Sequence, residues 1–282
     1  MNMPIGDIRL RIAALAVAMS LALVGVRAED PPVETRRGLD QVLDLYVRDG
    51  LVYYRALKRD RRVLDAYVNG LATASIGAAP PNEQLAFWLN AYNALVLRTV
   101  IDQYPIPQRS REYPAGSIRQ IPGVFERLPH RVAGRAVTLD QIEQTILPGF
   151  HDPRVYFALG RGSIGGGRLR SEAFTGTNLE RQLAEVANEC VNRTQCVAVD
   201  RVQNKVMASA IFSWREKEFS PVYADKAAAV FSSRSPIERA ILAFVEPRLL
   251  TTERDFLARN AFKVEYARFD WSLNDLTSHG GR

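Results

Sequence analysis

Two stretches of this chain carry side chains whose types and spacing could do chemistry. The first is Glu83-Gln-Leu-Ala-Phe-Trp-Leu-Asn-Ala-Tyr-Asn-Ala-Leu-Val-Leu97. At about 100° per residue, Glu83 and Asn90 fall on one face and Asn93 sits one turn from Asn90, a polar stripe on an apolar helix. A buried amide without a hydrogen bond costs about 1–3 kcal/mol. Asn90 and Asn93 therefore either clamp loop backbone or line a ligand site.

The second stretch is Gly160-Arg161-Gly162-Ser163-Ile164-Gly165, which spells G-x-G-x-x-G after an expected strand, Arg154 to Leu159. A dinucleotide site also needs a helix opening at once within a βαβ unit. Here Gly166-Gly167-Arg168-Leu169-Arg170 follows and the next helix start is Thr177, so no cofactor is expected. The same turn suits a small anionic molecule or a peptide carboxylate, held by backbone N–H groups and guanidinium forks. The expected ligand-binding set is Arg161, Gly162, Ser163 and Arg168 with Asn90 and Asn93. The plainer alternative is a tight connection with solvated arginines. A hydrolase would instead use Ser163 as nucleophile with Glu143 and a spatially recruited histidine, and the base must come within about 3 Å. His130 and His151 stand in no motif, and Glu83 and Glu143 have no defined separation that would mark a glycosidase pair.

Cys190 and Cys196 lie between an expected helix end and an expected strand start, and in an oxidising compartment they favour a local disulfide. No metal site is expected, because His130, His151 and His279 lie far from them without paired spacing.

The elements that must position these residues read as follows. Glu34 to Val47 is an amphipathic helix ended by Gly50, Leu51 to Tyr54 is extended, and Arg59 to Ala72 is a second helix. Pro80-Pro81-Asn82 opens the most apolar helix, Glu83 to Tyr104, and Pro105 to Gly134 is irregular. Thr138 with Gln141 makes a capping box for a helix through Leu147. Thr177 with Glu180 caps another to about Asn192. Cys196–Val199 and Lys205–Ser209 form a hairpin, Ser235-Pro236 with Glu238 starts a late helix, and Lys263 to Phe269 is a closing strand. The fold class is α+β: a helix-rich single domain with a small, mainly antiparallel sheet.

Arg9 and Arg11 precede an apolar run from Ile12 to Val26, and Val26-Arg27-Ala28 offers small residues at a cleavage point. That is the pattern of a signal peptide over residues 1–28, leaving a domain over 29–282 in an exported, periplasmic or secreted protein. The run is shorter than the roughly 20 residues a membrane span needs, so no stable span is expected after cleavage. The net charge of +6 comes from 37 basic and 31 acidic residues. The leader removes three arginines and one aspartate, which leaves +4 on an Arg-rich chain with acids interspersed. No clustered basic stripe points to nucleic acid. With 47% hydrophobic and 24% charged residues, the composition excludes collagen-like, disulfide-framework and disordered classes.

Several ordered blocks together resemble the domain of unknown function 547 family, over a core of about 39–274. They are Ala86-Phe-Trp-Leu-Asn-Ala-Tyr-Asn-Ala94, Leu139-Asp-Gln-Ile-Glu143, Asp152-Pro-Arg-Val-Tyr-Phe-Ala-Leu159 and Ser163-Ile-Gly165. Further on come Glu172-Ala-Phe-Thr175, Asn178-Leu179, Ile211-Phe-Ser-Trp214 and Phe269-Asp-Trp-Ser-Leu-Asn274. In bacteria the family is often found in exported proteins. The resemblance implies a His directly after the Glu of the Ile-Glu block and a Cys-Pro in the Gly-rich loop, candidates for a thiol hydrolase pair. Here those positions are Gln144 and Gly166-Gly167, and an Asn-Cys pair at the loop's start is Gly160-Arg161. Glutamine is no base and glycine no nucleophile. The chain therefore reads as a non-catalytic, degenerate member that binds a small anion or a partner.

Overall fold

Asp49 and Gly50 both have positive φ (51° and 81°), the backbone that a two-residue hairpin turn requires. They join β1 (Val47–Arg48) to β2 (Leu51–Val52), so the segment expected to be a helix end and an extended piece closes as a hairpin. The computed structural model describes residues 33–279, and the expected signal segment, residues 1–28, lies outside them. Ahead of the hairpin, α1 (Val33–Tyr46) packs on α3 (Arg62–Leu71), with the short α2 (Tyr54–Arg59) between them in sequence. The buried side chains of this contact include Leu39, Val42 and Leu43 on α1 and Leu64, Tyr67 and Val68 on α3.

α4 (Pro81–Gln103) starts with Pro at its first turn, where a missing N–H costs nothing. From Leu85 to Ile101 it is buried on nearly every side, as a helix apolar all round must be. The irregular segment after it is tied by Gln120, whose side chain accepts from the N–H groups of Arg109 (2.7 Å) and Ser110 (2.8 Å). It also contains an unexpected hairpin, β3 (His130–Val132) with β4 (Arg135–Val137), turned at Ala133-Gly134.

The Thr138–Gln141 capping box is present and opens α5 (Leu139–Gln141). The helix does not continue regularly to Leu147. It widens into a π turn over Ile142–Ile146 and then tightens into a 3-10 turn over Leu147–Phe150. The expected strand Arg154 to Leu159 is a 3-10 run, Pro153–Phe157. Asp152 caps it by accepting from the Arg154 N–H (3.0 Å), and a short apolar run alone does not separate a buried strand from a buried helical turn. α6 (Leu179–Val191) begins after Asn178 rather than under a Thr177 cap, because Glu180 turns to Arg154 instead.

β5 (Val197–Asp200) and β6 (Lys205–Ser209) form the expected hairpin, and Cys190–Cys196 forms the expected disulfide, with Cα atoms 5.2 Å apart. β7 (Lys263–Ala267) closes the sheet beside β6 in the parallel sense, Lys205 opposite Lys263. A parallel pair needs a crossover. It is supplied by α7 (Ala210–Trp214), α8 (Glu216–Tyr223), α9 (Pro236–Val245) and α10 (Thr251–Ala258). Phe157, Phe212, Phe219 and Phe244 pack under it with ring centroids 4.9–5.8 Å apart. After β7 the chain returns to the first hairpin before α11 (Leu276–His279). Val52 N–H donates to Asn274 O (2.8 Å), Asn274 Nδ2 to Gly50 O (2.9 Å) and Tyr54 OH to Asn274 Oδ1 (2.7 Å). The fold is α+β, with three small sheets among the described residues, in which antiparallel pairing predominates. Among the described residues no helix is long and apolar enough to cross a membrane.

Candidate functional site

Asn90 and Asn93 project from α4 as the spacing predicts, and both act as backbone clamps. Asn90 Oδ1 accepts from Phe174 N–H and its Nδ2 donates to Phe174 O, both at 2.8 Å. Asn93 Oδ1 accepts from Gly160 N–H (2.9 Å) while its Nδ2 donates to Ala158 O (3.0 Å). A single helix face thus fixes the entrance to the glycine-rich loop and the segment beyond it.

Between them, Tyr92 reaches Glu143. Its hydroxyl donates to Glu143 Oε2 (3.1 Å), and Oε1 of the same carboxylate accepts from Arg161 Nη2 and Arg215 Nη2, each at 2.6 Å. Arg215 Nη1 donates to Gln144 Oε1 (2.5 Å), and Arg161 Nη1 to Tyr156 O (2.9 Å) and Leu159 O (3.3 Å). The guanidinium of Arg215 also lies over the Tyr156 ring, 4.5 Å from its centroid. The two arginines are 2% exposed, so a group with one carboxylate and two guanidiniums is buried with one positive charge in excess. Burial alone would push the Glu143 carboxyl up, but Arg161 and then Arg215 outweigh it and hold it at about 2. Glu143 is therefore an anion at neutral pH and a poor proton acceptor. Tyr92 is driven well above its ordinary value, first by burial and next by the Glu143 charge. The π turn sets adjacent side chains to different tasks: Glu143 inward into the cluster, Gln144 at the exposed edge.

The loop itself is closed. Gly160 and Ser163–Gly167 spend their N–H groups inside the protein, Ile164 on Ser272 O (2.9 Å), Gly165 on Asp270 O (2.8 Å) and Gly167 on Leu159 O (2.9 Å). A Cβ on Gly166 would stand 2.4 Å from Gly160 O, and one on Gly167 would stand 1.9 Å from Phe157 O. No side chain fits where the resemblance would put Cys-Pro. Arg161 adopts φ 49° and is held there by its ion pair, while Gly162, at φ 61°, packs against Ile118 and Val96. The free volume against the loop is about 10 Å3.

The other expected site residues divide clearly. Arg168 pairs with Glu189 (3.0 Å) and with the exposed Asp49 (2.8 Å), and Arg170 with Glu172 (2.6 Å) and Glu185 (2.7 Å). Ser163 Oγ is buried without a hydrogen-bond partner, so neither Glu143 nor a histidine engages it. His130 lies on β3 against a separate groove of about 530 Å3, and His151 lines another cavity. Burial and then Arg98 lower the His130 pKa. Among the described residues no three His, Cys, Asp or Glu side chains gather to hold a metal. Tyr92, Tyr156 and Arg215 join the site unforeseen. Tyr92 adjoins Asn93 on α4, and Arg215 follows the Ile211–Trp214 block, but nothing in the local spacing links them to Glu143.

An aromatic rim flanks the loop. Phe269 Cδ1 comes within 3.2 Å of the Cβ position of Gly165, and Phe269 packs on Trp271 (4.4 Å) and Trp214 (4.8 Å). Trp214 is 45% exposed.

No curated protein and no solved structure matches the chain. Residues 77–191, from just ahead of the long helix to the end of α6, match the family described as Protein of unknown function, DUF547.

Proposed function

We propose that this chain is a non-catalytic binding protein on the scaffold of its family, contacting its partner at the outer face of the Gly/Arg loop. The observation that carries this reading is the packing at Gly166, whose Cβ position is filled by Gly160 O at 2.4 Å. A nucleophile has no room there, and Gln144, which stands where the resemblance expects a histidine, is engaged by Arg215. Ser163 with Glu143 is thinly supported as an alternative hydrolase, since Ser163 Oγ lacks a base and Glu143 is bound by two guanidiniums.

The binding half of the reading rests on Arg168 and the aromatic rim. Arg161 and Arg170 are committed to carboxylates within the protein, whereas the Arg168 bond to Asp49 involves a carboxylate 87% exposed. Exposed ion pairs are worth about 0–1 kcal/mol, so a carboxylate from a peptide or small molecule can replace Asp49 at little cost. Trp214 and Trp271 offer flat apolar surface with a polar edge beside it.

The test is a hydrolysis screen of the purified protein on ester, peptide and glycan substrates, paired with titration of acidic peptides followed by tryptophan fluorescence. The reading expects no turnover, and saturable quenching that Arg168→Ala weakens. Turnover abolished by Ser163→Ala would replace it with the hydrolase reading.

A further inference from the structure

β7 is the last strand of its sheet, with β6 on one side and no strand among the described residues on the other. Lys263 N–H donates to Asn204 O (3.0 Å), and in a parallel ladder alternate residues turn their main chain to the neighbouring strand. Lys263, Glu265 and Ala267 therefore bond to β6, and the N–H and C=O groups of Val264 and Tyr266 point away from it. No described residue hydrogen-bonds to those outward groups, and Lys263, Glu265 and Tyr266 are exposed. A free sheet edge of this kind is a template for another strand.

The charges on the edge select that strand. Side chains alternate along a strand, so Lys263 and Glu265 share one face of the sheet. There Glu265 meets Lys205 (3.6 Å), and Lys263 has no ion-pair partner among the described residues. The three border an open hollow of about 480 Å3, with room for incoming side chains. Two copies of β7 pairing antiparallel must set outward-facing residues against each other. That allows Val264 against Val264, Val264 against Tyr266, or Tyr266 against Tyr266. The second register opposes Glu265 to Glu265, and the third opposes it to Ala267. Only the first sets Lys263 of each copy against Glu265 of the other, and unlike charges across a strand pair stabilise it.

We infer that β7 pairs antiparallel with β7 of a second copy of this chain, about a twofold axis at Val264. The two Val264 residues exchange their N–H···O bonds, and each Glu265 lies between Lys205 of its own chain and Lys263 of the other. Phe262 O, which comes opposite Tyr266, already accepts from Arg234 Nη2 (2.8 Å). The paired stretch is therefore short, and an interface so small makes a weak, concentration-dependent dimer. None of these residues belongs to the loop surface proposed above.

The test is sedimentation velocity on the purified chain at low salt, from about 10 µM to about 1 mM, the range in which a small interface associates. The mean mass should rise towards twice that of the monomer. Val264→Pro removes an outward N–H while leaving the β6 ladder whole, and should stay monomeric throughout. Lys263→Glu and Glu265→Lys, each by itself, oppose like charges and should also stay monomeric. Mixed in equal amounts, these two variants oppose unlike charges again and should form a dimer. That mixture carries the test if Val264→Pro lowers the melting temperature. A monomer at the highest concentration overturns the inference and leaves the edge to a strand of another protein. A dimer that survives Val264→Pro in a folded chain overturns it too, as does a mixture of the charge variants that stays monomeric.

Discussion

Arg161 Nη2 stands 2.6 Å from Glu143 Oε1 in the interior, and Arg215 Nη2 reaches the same oxygen at the same distance. Removing one partner of a buried ion pair costs about 3–5 kcal/mol because the other is left uncompensated. Glu143→Gln strands two guanidiniums and should lie at the upper end of that range. Urea denaturation of the variant against the unmutated chain measures it, and a loss below about 1 kcal/mol would mean that the cluster contributes little.

The same carboxylate makes stability depend on acid. Its folded-state pKa of about 2 lies below the ordinary carboxyl value. The contribution is therefore fully present above about pH 4.5 and is lost as pH falls towards 2, amounting to roughly 3 kcal/mol. Urea midpoints across that window should fall for the unmutated chain and fall less for Glu143→Gln. Parallel profiles would contradict the assignment.

Gly166→Ala and Gly167→Ala push a methyl group into backbone carbonyls at 2.4 Å and 1.9 Å. Overpacking against backbone costs about 1–3 kcal/mol or more. Gly149→Ala meets nothing within 4 Å and is the control, expected within about 0.5 kcal/mol of neutral. Thermal melts of the three variants should rank accordingly.

Asn93→Ala leaves Gly160 N–H and Ala158 O buried without their partner. A loss of about 2–4 kcal/mol is expected from the two groups together. Hydrogen exchange at the Gly160 amide is the sharper readout, since its protection should fall even where the rest of α4 keeps its own.

The disulfide closes a short loop, with a sequence separation of 6. Loop-closure entropy assigns it about 2 kcal/mol. Cys190→Ser with Cys196→Ser should lower the unfolding free energy from urea denaturation by that amount and leave the Val197–Ala208 pairing intact.

What could be read in the sequence was whatever local physics controls. The Thr138 and Ser235 capping boxes, the β5–β6 hairpin, the apolar α4 and the Cys190–Cys196 pair all depend on residues close in the chain. The clamp role of Asn90 and Asn93 was one of the two readings their burial allows. The Asp49-Gly50 turn was also readable, but the helix-ending role of glycine masked it. The stretch Val155–Leu159 misled because a short buried apolar run has no periodicity to separate strand from turn. The buried cluster lay further out of reach: Glu143 and Arg215 are 72 residues apart, and only the fold brings them together. Arg161 looked like a surface guanidinium because arginine usually is one, and its burial follows from a carboxylate 18 residues earlier.

The seam between Gly50–Val52 and Asn274–Asp275 bears on the order in which the molecule is made. Val52 pairs with Asp275, and Tyr104 OH donates to Asp275 Oδ2 (2.6 Å). A ribosome delivers the hairpin and α4 long before the residues that cover them, so these early elements must wait, half-covered, for more than 170 further residues. Until then the hydroxyl of Tyr54 and the carbonyl of Gly50 lack their Asn274 partner. Closure is thus a late, long-range step, and a nascent chain stalled before residue 274 would present an open edge for chaperones or proteases to read.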